Sequence, residues 1–302
     1  MSAGTTANDQ AAFLRQADAA TPARIPTRLR CLAVGSGKGG VGKTAISVGL
    51  SYGLAKKGHR VLLIDADLGL ANVDLQIGIN PTHTLQDVVF GNCSLAEAVV
   101  QQHEGPDVLP SSSGTADMVE MGAARRQLFV ADLIRFAARY EFLIIDTAAG
   151  IGDSITAFMR AVPEVLVVVA NEPTSIMDAY SLIKVLLTQE TPPNVAIVTN
   201  MTRSLDEGAM LAERLNGIIE RFLNVRLPVA GCVPFDEHVR DAIRHRRPTL
   251  LHAPQCAASI CMTEIAQHVA ASSIRLSRQP LSAAAFESIA TIASPRGRGD
   301  TP

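Results

Sequence analysis

Seven short apolar runs constrain this chain more than any other feature: CLAVGS at 31–36, RVLLID at 60–65, DVLPS at 107–111, FLIID at 142–146, VLVVVA at 165–170, VAIVT at 195–199 and VAGCVP at 229–234. Most are apolar throughout instead of alternating, which is how strands covered on both faces read. Helix-period stretches separate them. Residues 44–57 put Ile46, Leu50 and Leu54 on one stripe and stop at Gly58, a residue suited to end a helix. Ser94 with Glu97 makes a capping box for a helix over 95–101, and Ser175 or Asp178 can start the one that carries Leu182 and Leu186. Strand and helix alternating in this way predict an α/β protein: a doubly wound, mostly parallel sheet with helices on both faces. In such sheets ligands sit at the carboxyl ends of the strands.

At 302 residues the chain suits one large domain with tails. The expected division is a flexible segment over 1–28, a body over 29–276 and a C-terminal segment over 277–302. A net charge of −2 predicts no bulk affinity for nucleic acid. The five cysteines, Cys31, Cys93, Cys232, Cys256 and Cys261, are odd in number and lack CxxC spacing, which argues against a zinc site or a disulfide framework and for buried, reduced thiols. No signal-peptide pattern is present, and no apolar run approaches the ~18 residues that span a bilayer. The expected location is cytoplasmic, with peripheral contact at the inner face of the plasma membrane or the cell pole left open.

The strongest chemical signal is GSGKGGVGKTA at 35–45, which holds G-x-x-x-x-G-K-[ST] as Gly37 to Thr44 between a strand and a helix. Gly37, Gly39, Gly40 and Gly42 let backbone amides curl around an anion, and Val41 supplies a further amide. The helix N-terminus adds its dipole. Lys43 can reach the β- and γ-phosphates of a nucleotide, and the Thr44 hydroxyl is a ligand for Mg2+.

A second lysine, Lys38, sits inside the loop. The string KGGVGKT resembles the deviant Walker A motif of the MinD/ParA family of P-loop ATPases. The resemblance covers roughly residues 30–275 and implies that Lys38 reaches across a dimer interface to the partner's nucleotide. Relatives often carry Thr or Ser where this chain has Ala45, which leaves an α-phosphate contact there to the backbone. In DADLGLANVD, 65–74, the resemblance makes Asp67 the residue that orients or deprotonates the attacking water, with Asp65 helping to hold the magnesium shell; Gly69, Asn72 and Asp74 fit the MinD branch. Asp146, at the tip of FLIID, looks like a Walker B aspartate. The following TAAGIG is similar to switch II, with Ala148 where relatives have Gly or Pro. Asn200 stands where the family reads adenine, and Val233, Pro234 and Asp236 belong to the stretch that covers the base. No N-K-x-D string accompanies them, so ATP is expected over GTP.

Within the family, missing residues exclude nitrogenase-like reductases, iron–sulfur scaffolds and tyrosine kinases: no cysteine lies in 147–152, and Tyr52, Tyr140 and Tyr180 all lie in the body. NEPTSIMDAYSLIKVL at 171–186 is similar to a segment of the flagellar FlhG group, also called FleN or YlxH, and DQAAFLR, Asp9 to Arg15, resembles its N-terminal element. Asp9, Gln10, Leu14 and Arg15 are the candidate partner contacts, on a short helix over about 8–20. The resemblance implies an ATP-dependent homodimer that controls flagellar number and placement. Its implied partners are an FlhF-type GTPase stimulated by the N-terminal element, flagellar switch-ring proteins and a flagellar transcriptional activator. MinD-like division-site placement and ParA-like DNA partition are the alternatives. For the latter the best feature is the cluster Arg240, Arg244, Arg246 and Arg247, for which a solvated helix face is the plainer reading. PLSAAAFESIATIA at 280–293 puts Leu281, Phe286, Ile289 and Ile292 on one side of a helix; it holds no Lys or Arg, so packing on the domain and contact with a membrane both stay open.

Overall fold

The computed structural model describes residues 29–67, 69, 71–112 and 123–271. The expected N-terminal docking helix with Asp9, Gln10, Leu14 and Arg15, and the expected helix over 280–293, lie outside the described residues.

The chain runs β1 (Arg30–Ser36), α1 (Lys43–Lys56), β2 (Val61–Ala66), α2 (Val73–Ile77), α3 (Leu85–Phe90), α4 (Leu95–Ala98) and β3 (Asp107–Leu109). It continues α5 (Ala123–Ala137), β4 (Phe142–Ala149), α6 (Asp153–Arg160), β5 (Glu164–Ala170), α7 (Pro173–Leu187) and β6 (Asn194–Thr202). The last elements are α8 (Leu205–Leu223), β7 (Val229–Pro234), α9 (Glu237–Arg244), α10 (Thr249–His252) and α11 (Ala257–Ala270). All seven apolar runs are strands of one parallel sheet in the order β3-β2-β4-β1-β5-β6-β7.

Alternate residues of each central strand enter two different cores, which is why the strands read as apolar throughout. Cys31 and Ala33 of β1, with Val165, Val167 and Val169 of β5, face a core completed by α3 to α8. Leu32 and Val34, with Leu166 and Val168, face the opposite core, built with α1, α2, α10 and α11. On that side α1 and α11 approach closely: a Cβ on Gly49 would lie 2.2 Å from Met262 Sδ, and one on Gly53 2.8 Å from Ala266 Cβ.

Some local expectations need correction. The helix after β5 starts at Pro173 with Glu172 as N-cap, not at Ser175 or Asp178. Proline's fixed φ and missing N–H suit the first helical position, and the Ser175 hydroxyl instead accepts the Ala170 N–H at 3.1 Å. The Ser94/Glu97 capping box forms, but its helix ends at Ala98 because Val100 pairs with Val108. Arg246 and Arg247 lie beyond α9, which ends at Arg244. The five thiols are free, but Cys93, Cys232 and Cys256 are half-buried, not enclosed. Among the described residues no helix is long and apolar enough to cross a membrane.

Candidate functional site

β1 is the strand at which the winding reverses: β2, β3 and β4 lie to one side of it and β5, β6 and β7 to the other. A crevice forms at the carboxyl end of such a strand, and the loop from Ser36 to Gly42 occupies it. Its backbone turns demand glycine at two points. Gly40 and Gly42 have φ of +81° and +82°, and a Cβ on Gly42 would lie 2.3 Å from Asn200 Nδ2. Gly37 is held by space instead, since a Cβ would come within 2.2 Å of the Asp178 backbone. Gly42 is the N-cap of α1, and the first turn of α1 contains no acidic side chain. The positive end of that helix is therefore uncompensated, as an anion site requires.

Behind the loop, Lys43 and Asp146 are both buried, and Lys43 Nζ lies 3.3 Å from Asp146 Oδ1. Ser47 donates to the same oxygen at 2.8 Å, and the Thr44 side chain also bonds this carboxylate. Among the described residues Asp146 Oδ2 is buried and has no hydrogen-bond partner. Asp65 stands beside Asp146 in register on the neighbouring strand. Its Oδ1 accepts the Asp67 N–H at 3.0 Å, and its Oδ2 those of Asn72 and Val73 at 3.1 and 3.2 Å. Asp65 thus fastens the loop that carries Asp67 back onto the end of β2.

These two carboxyls stand side by side, and the buried Lys43 pairs with Asp146. Burial pushes the Asp146 carboxyl up, against the pull of Lys43 and of the Thr44 and Ser47 hydroxyls. Burial first, and then the charge of Asp146, push Asp65 up to about 7 in spite of its three N–H donors. The pocket has more carboxylate than cation, and among the described residues Asp146 Oδ2 is buried without a partner. A hard divalent cation with oxygen ligands would meet both needs, so these residues fit Mg2+.

The loop's two lysines are placed very differently. Lys38 points away from Lys43 and is 38% exposed; its Nζ meets Glu172 Oε2 at 2.5 Å and Thr174 Oγ1 at 3.1 Å. An exposed ion pair of this kind contributes only about 0–1 kcal/mol, so a stronger anion can displace Glu172.

Asn200 reaches the loop through Nδ2, which donates to the Val41 carbonyl at 2.8 Å. Val233 and Pro234 end β7 beside Asn200 and Thr202 of β6. Asp236 caps α9, accepting the His238 N–H on Oδ1 at 3.0 Å, and its Oδ2 accepts the Ala258 N–H of α11 at 3.1 Å. Burial alone would raise its carboxyl, but the bonds from Ala258 and His238 hold it down at about 2. Gly150 takes φ of +123° just after β4 and donates its N–H to the Ser36 carbonyl at 2.9 Å. The segment after Asp146 is thereby tied to the start of the phosphate loop. Lys38, Lys43, Thr44, Asp65, Asp67, Asp146 and Asn200 all stand along the carboxyl edge of the sheet.

Three contributors escaped the sequence reading. Ser47 lies one helical turn after Lys43, a spacing that aims it at the same carboxylate. Glu172 and Thr174 follow the tip of β5, where the strand-end rule that located Asp67 and Asp146 would also have found them.

A family model described as an AAA domain matches residues 29–197. The antiactivator FleN of Pseudomonas aeruginosa is 42% identical over 80% of this chain and 86% of its own length. The flagellum site-determining protein YlxH of Helicobacter pylori is 30% identical over 78% of this chain and 80% of its own. Among solved structures, the septum site-determining protein MinD of Pyrococcus horikoshii, complexed with Mg-ADP, matches at a TM-score of 0.68 and 22% identity, over 83% of this chain and 100% of that one. That last likeness concerns the fold, while the identities to the first two relatives run through most of both chains. The chain belongs to the MinD/ParA family of P-loop ATPases.

Proposed function

We propose that the protein is an ATP-gated dimeric switch that regulates flagellar number and placement. The observation that carries the switch is the separation of the two loop lysines. Lys43 is committed to the buried floor of its own site, whereas Lys38 is held at the surface by a weak, exposed pair with Glu172. Lys38 can exchange Glu172 for the phosphates of a nucleotide in a second subunit. ATP on both subunits then joins them through two such contacts. Mg2+ would be held by Thr44 and, through water, by Asp146, with Asp65 supporting from the adjacent strand; its chemistry is to offset phosphate charge. Asp67, on the loop that Asp65 anchors, orients or deprotonates the attacking water. Asn200, Val233, Pro234 and Asp236 surround the adenine. Unaided turnover in P-loop switches of this kind is slow, on the order of 10⁻⁴ to 10⁻² per second, so hydrolysis acts as a timer.

The flagellar reading draws its support from the identity to FleN and YlxH. The partners that follow are an FlhF-type GTPase, engaged through Asp9, Gln10, Leu14 and Arg15, and flagellar switch-ring proteins. A flagellar transcriptional activator is a further partner, in keeping with the name antiactivator carried by FleN. The location that goes with this role is cytoplasmic, at the inner face of the membrane or the pole. The test measures phosphate release by a purified FlhF-type GTPase mixed with the full chain or with a chain lacking residues 1–20. Stimulation by the full chain alone is the expected result. Equal rates with both chains would remove the GTPase from the scheme.

A further inference from the structure

Away from the phosphate loop, one cluster of metal-ligating side chains has no part in the chemistry described so far. Asp241 lies on α9 and His245, four residues on, is the C-cap of that helix; α10 brings His252 over them. His252 Nε2 lies 2.8 Å from Asp241 Oδ2, and His245 Nδ1 lies 3.5 Å from Asp241 Oδ1 and 2.9 Å from the Asp241 carbonyl oxygen. The two imidazoles stack with centroids 5.0 Å apart at 23°. One ligand atom from each of the three residues lies within 4.8 Å of the others.

The arrangement is fixed by the backbone. The turn from α9 to α10 passes through Arg246 at φ +49°, a conformation that costs a residue with a Cβ about 1 kcal/mol or more. It is held there by packing: a Cβ on Gly78, which ends α2, would lie 2.3 Å from the Arg246 carbonyl oxygen. Asp241 caps no helix; among the described residues its carboxylate bonds and pairs with the two imidazoles. The other trio of this type, Asp236, His238 and Cys256, differs in that respect. Asp236 and Cys256 already cap α9 and α11, so their donor atoms are spent on backbone N–H groups.

We infer that Asp241, His245 and His252 form a binding site for one borderline divalent transition metal, with Zn2+ the ion they suit. Two imidazoles and a carboxylate are ligands of this class, whereas Mg2+ prefers oxygen alone. Tetrahedral zinc with bonds of about 2.0–2.1 Å separates its ligand atoms by roughly 3.4 Å, so the 2.8 Å contact would open by about half an ångström. Three protein ligands leave a fourth position for water or for a donor from a partner. The nearby cations Arg240, Arg244, Arg246 and Arg247 oppose a metal ion, so the ionised carboxylate is the ligand the site can least lose. A bound ion would fasten the C-terminal end of α9 to α10, and the N-cap of α9, Asp236, lies two residues beyond the end of β7.

The test titrates the full-length protein with Zn2+ against a chromophoric chelator, using the wild type, Asp241→Asn, His252→Ala, His245→Ala and, as a control on the other trio, His238→Ala. One equivalent of Zn2+ is expected to bind the wild type and His238→Ala alike. Asp241→Asn and His252→Ala should each weaken binding at least about tenfold. Cobalt in place of zinc should show ligand-field bands without a thiolate charge-transfer band. Unchanged affinity in Asp241→Asn and His252→Ala would overturn the assignment. So would the absence of saturable binding, loss in His238→Ala instead, or a thiolate band with cobalt. Circular dichroism checks folding, and exposed His245→Ala repeats the test should either half-buried variant fail to fold.

Discussion

At the scale of single residues, the site is governed by how each polar group is held. Asp146 is buried with one oxygen taken by Lys43 and Ser47 and the other without a partner. Asp65 spends both oxygens on its own loop. Asp236 is the clearest case of a carboxylate that supports the fold through its ionised form. Its folded value of about 2 lies below the ordinary 3.8. The stability it contributes is therefore present above about pH 4 and is lost as the pH falls towards 2. Wild-type protein should lose thermal stability between pH 4 and pH 3 more steeply than Asp236→Asn, which should itself be weaker by about 1 kcal/mol at pH 7 because an amide has one acceptor oxygen for the two N–H groups, of His238 and Ala258, that Asp236 holds. Parallel melting curves for the two proteins would refute this reading of the α9 cap. An aspartate at a strand end is usually a cap or a turn; the strand-tip aspartates were singled out in the sequence by their pairing with the phosphate loop and by the family resemblance. The engagement of Asn200 with Val41 and of Lys38 with Glu172 was not. Both join segments more than a hundred residues apart, and no periodicity records which loop a side chain will meet.

At the scale of elements, α1 links the site to the rest of the fold. It begins at Lys43, buries one flank against the sheet and lays Gly49 and Gly53 against Met262 and Ala266 of α11. Glycine in a helix interior costs roughly 0.5–1 kcal/mol relative to alanine, and here the cost is offset by the close approach of the two helices. Gly53→Leu should force them apart and destabilise the protein by about 1–3 kcal/mol. It should weaken nucleotide binding less than it weakens folding. Urea denaturation and nucleotide titration of the same variant separate the two; unaltered stability would show that the contact is slack. The five inner strands could be read from the chain because each buries two apolar faces, and the edge strands β3 and β7 from shorter apolar runs. Helix limits were less legible. The first turn of α7 depended on Pro173 more than on a capping side chain, and α4 was cut short by the bridge from Val100 to Val108, a partner that its own sequence does not name.

At the scale of the whole molecule, the two edges of the sheet do different work. The amino edge carries a structural ion pair, Arg30 with Glu164 at 2.8 Å, which joins β1 to β5. The carboxyl edge carries an excess of carboxylate, an uncompensated helix N-terminus and a lysine on a weak tether. A molecule so built is stable at one edge and responsive at the other, and its response should be a change of assembly. Lys38 is held by Glu172 at the surface, so under the proposed switch a nucleotide presented by a second subunit should replace that pair. A specific interface of that kind would bury on the order of 1,000 Å² or more. The most direct test is the size of Asp67→Ala in solution with Mg·ATP and with Mg·ADP, measured by sizing chromatography with light scattering. Removing Asp67 should block hydrolysis while leaving the phosphate loop intact, so the protein should elute as a dimer with ATP and as a monomer with ADP. A monomer under both conditions, with ATP shown to be bound, would contradict the switch.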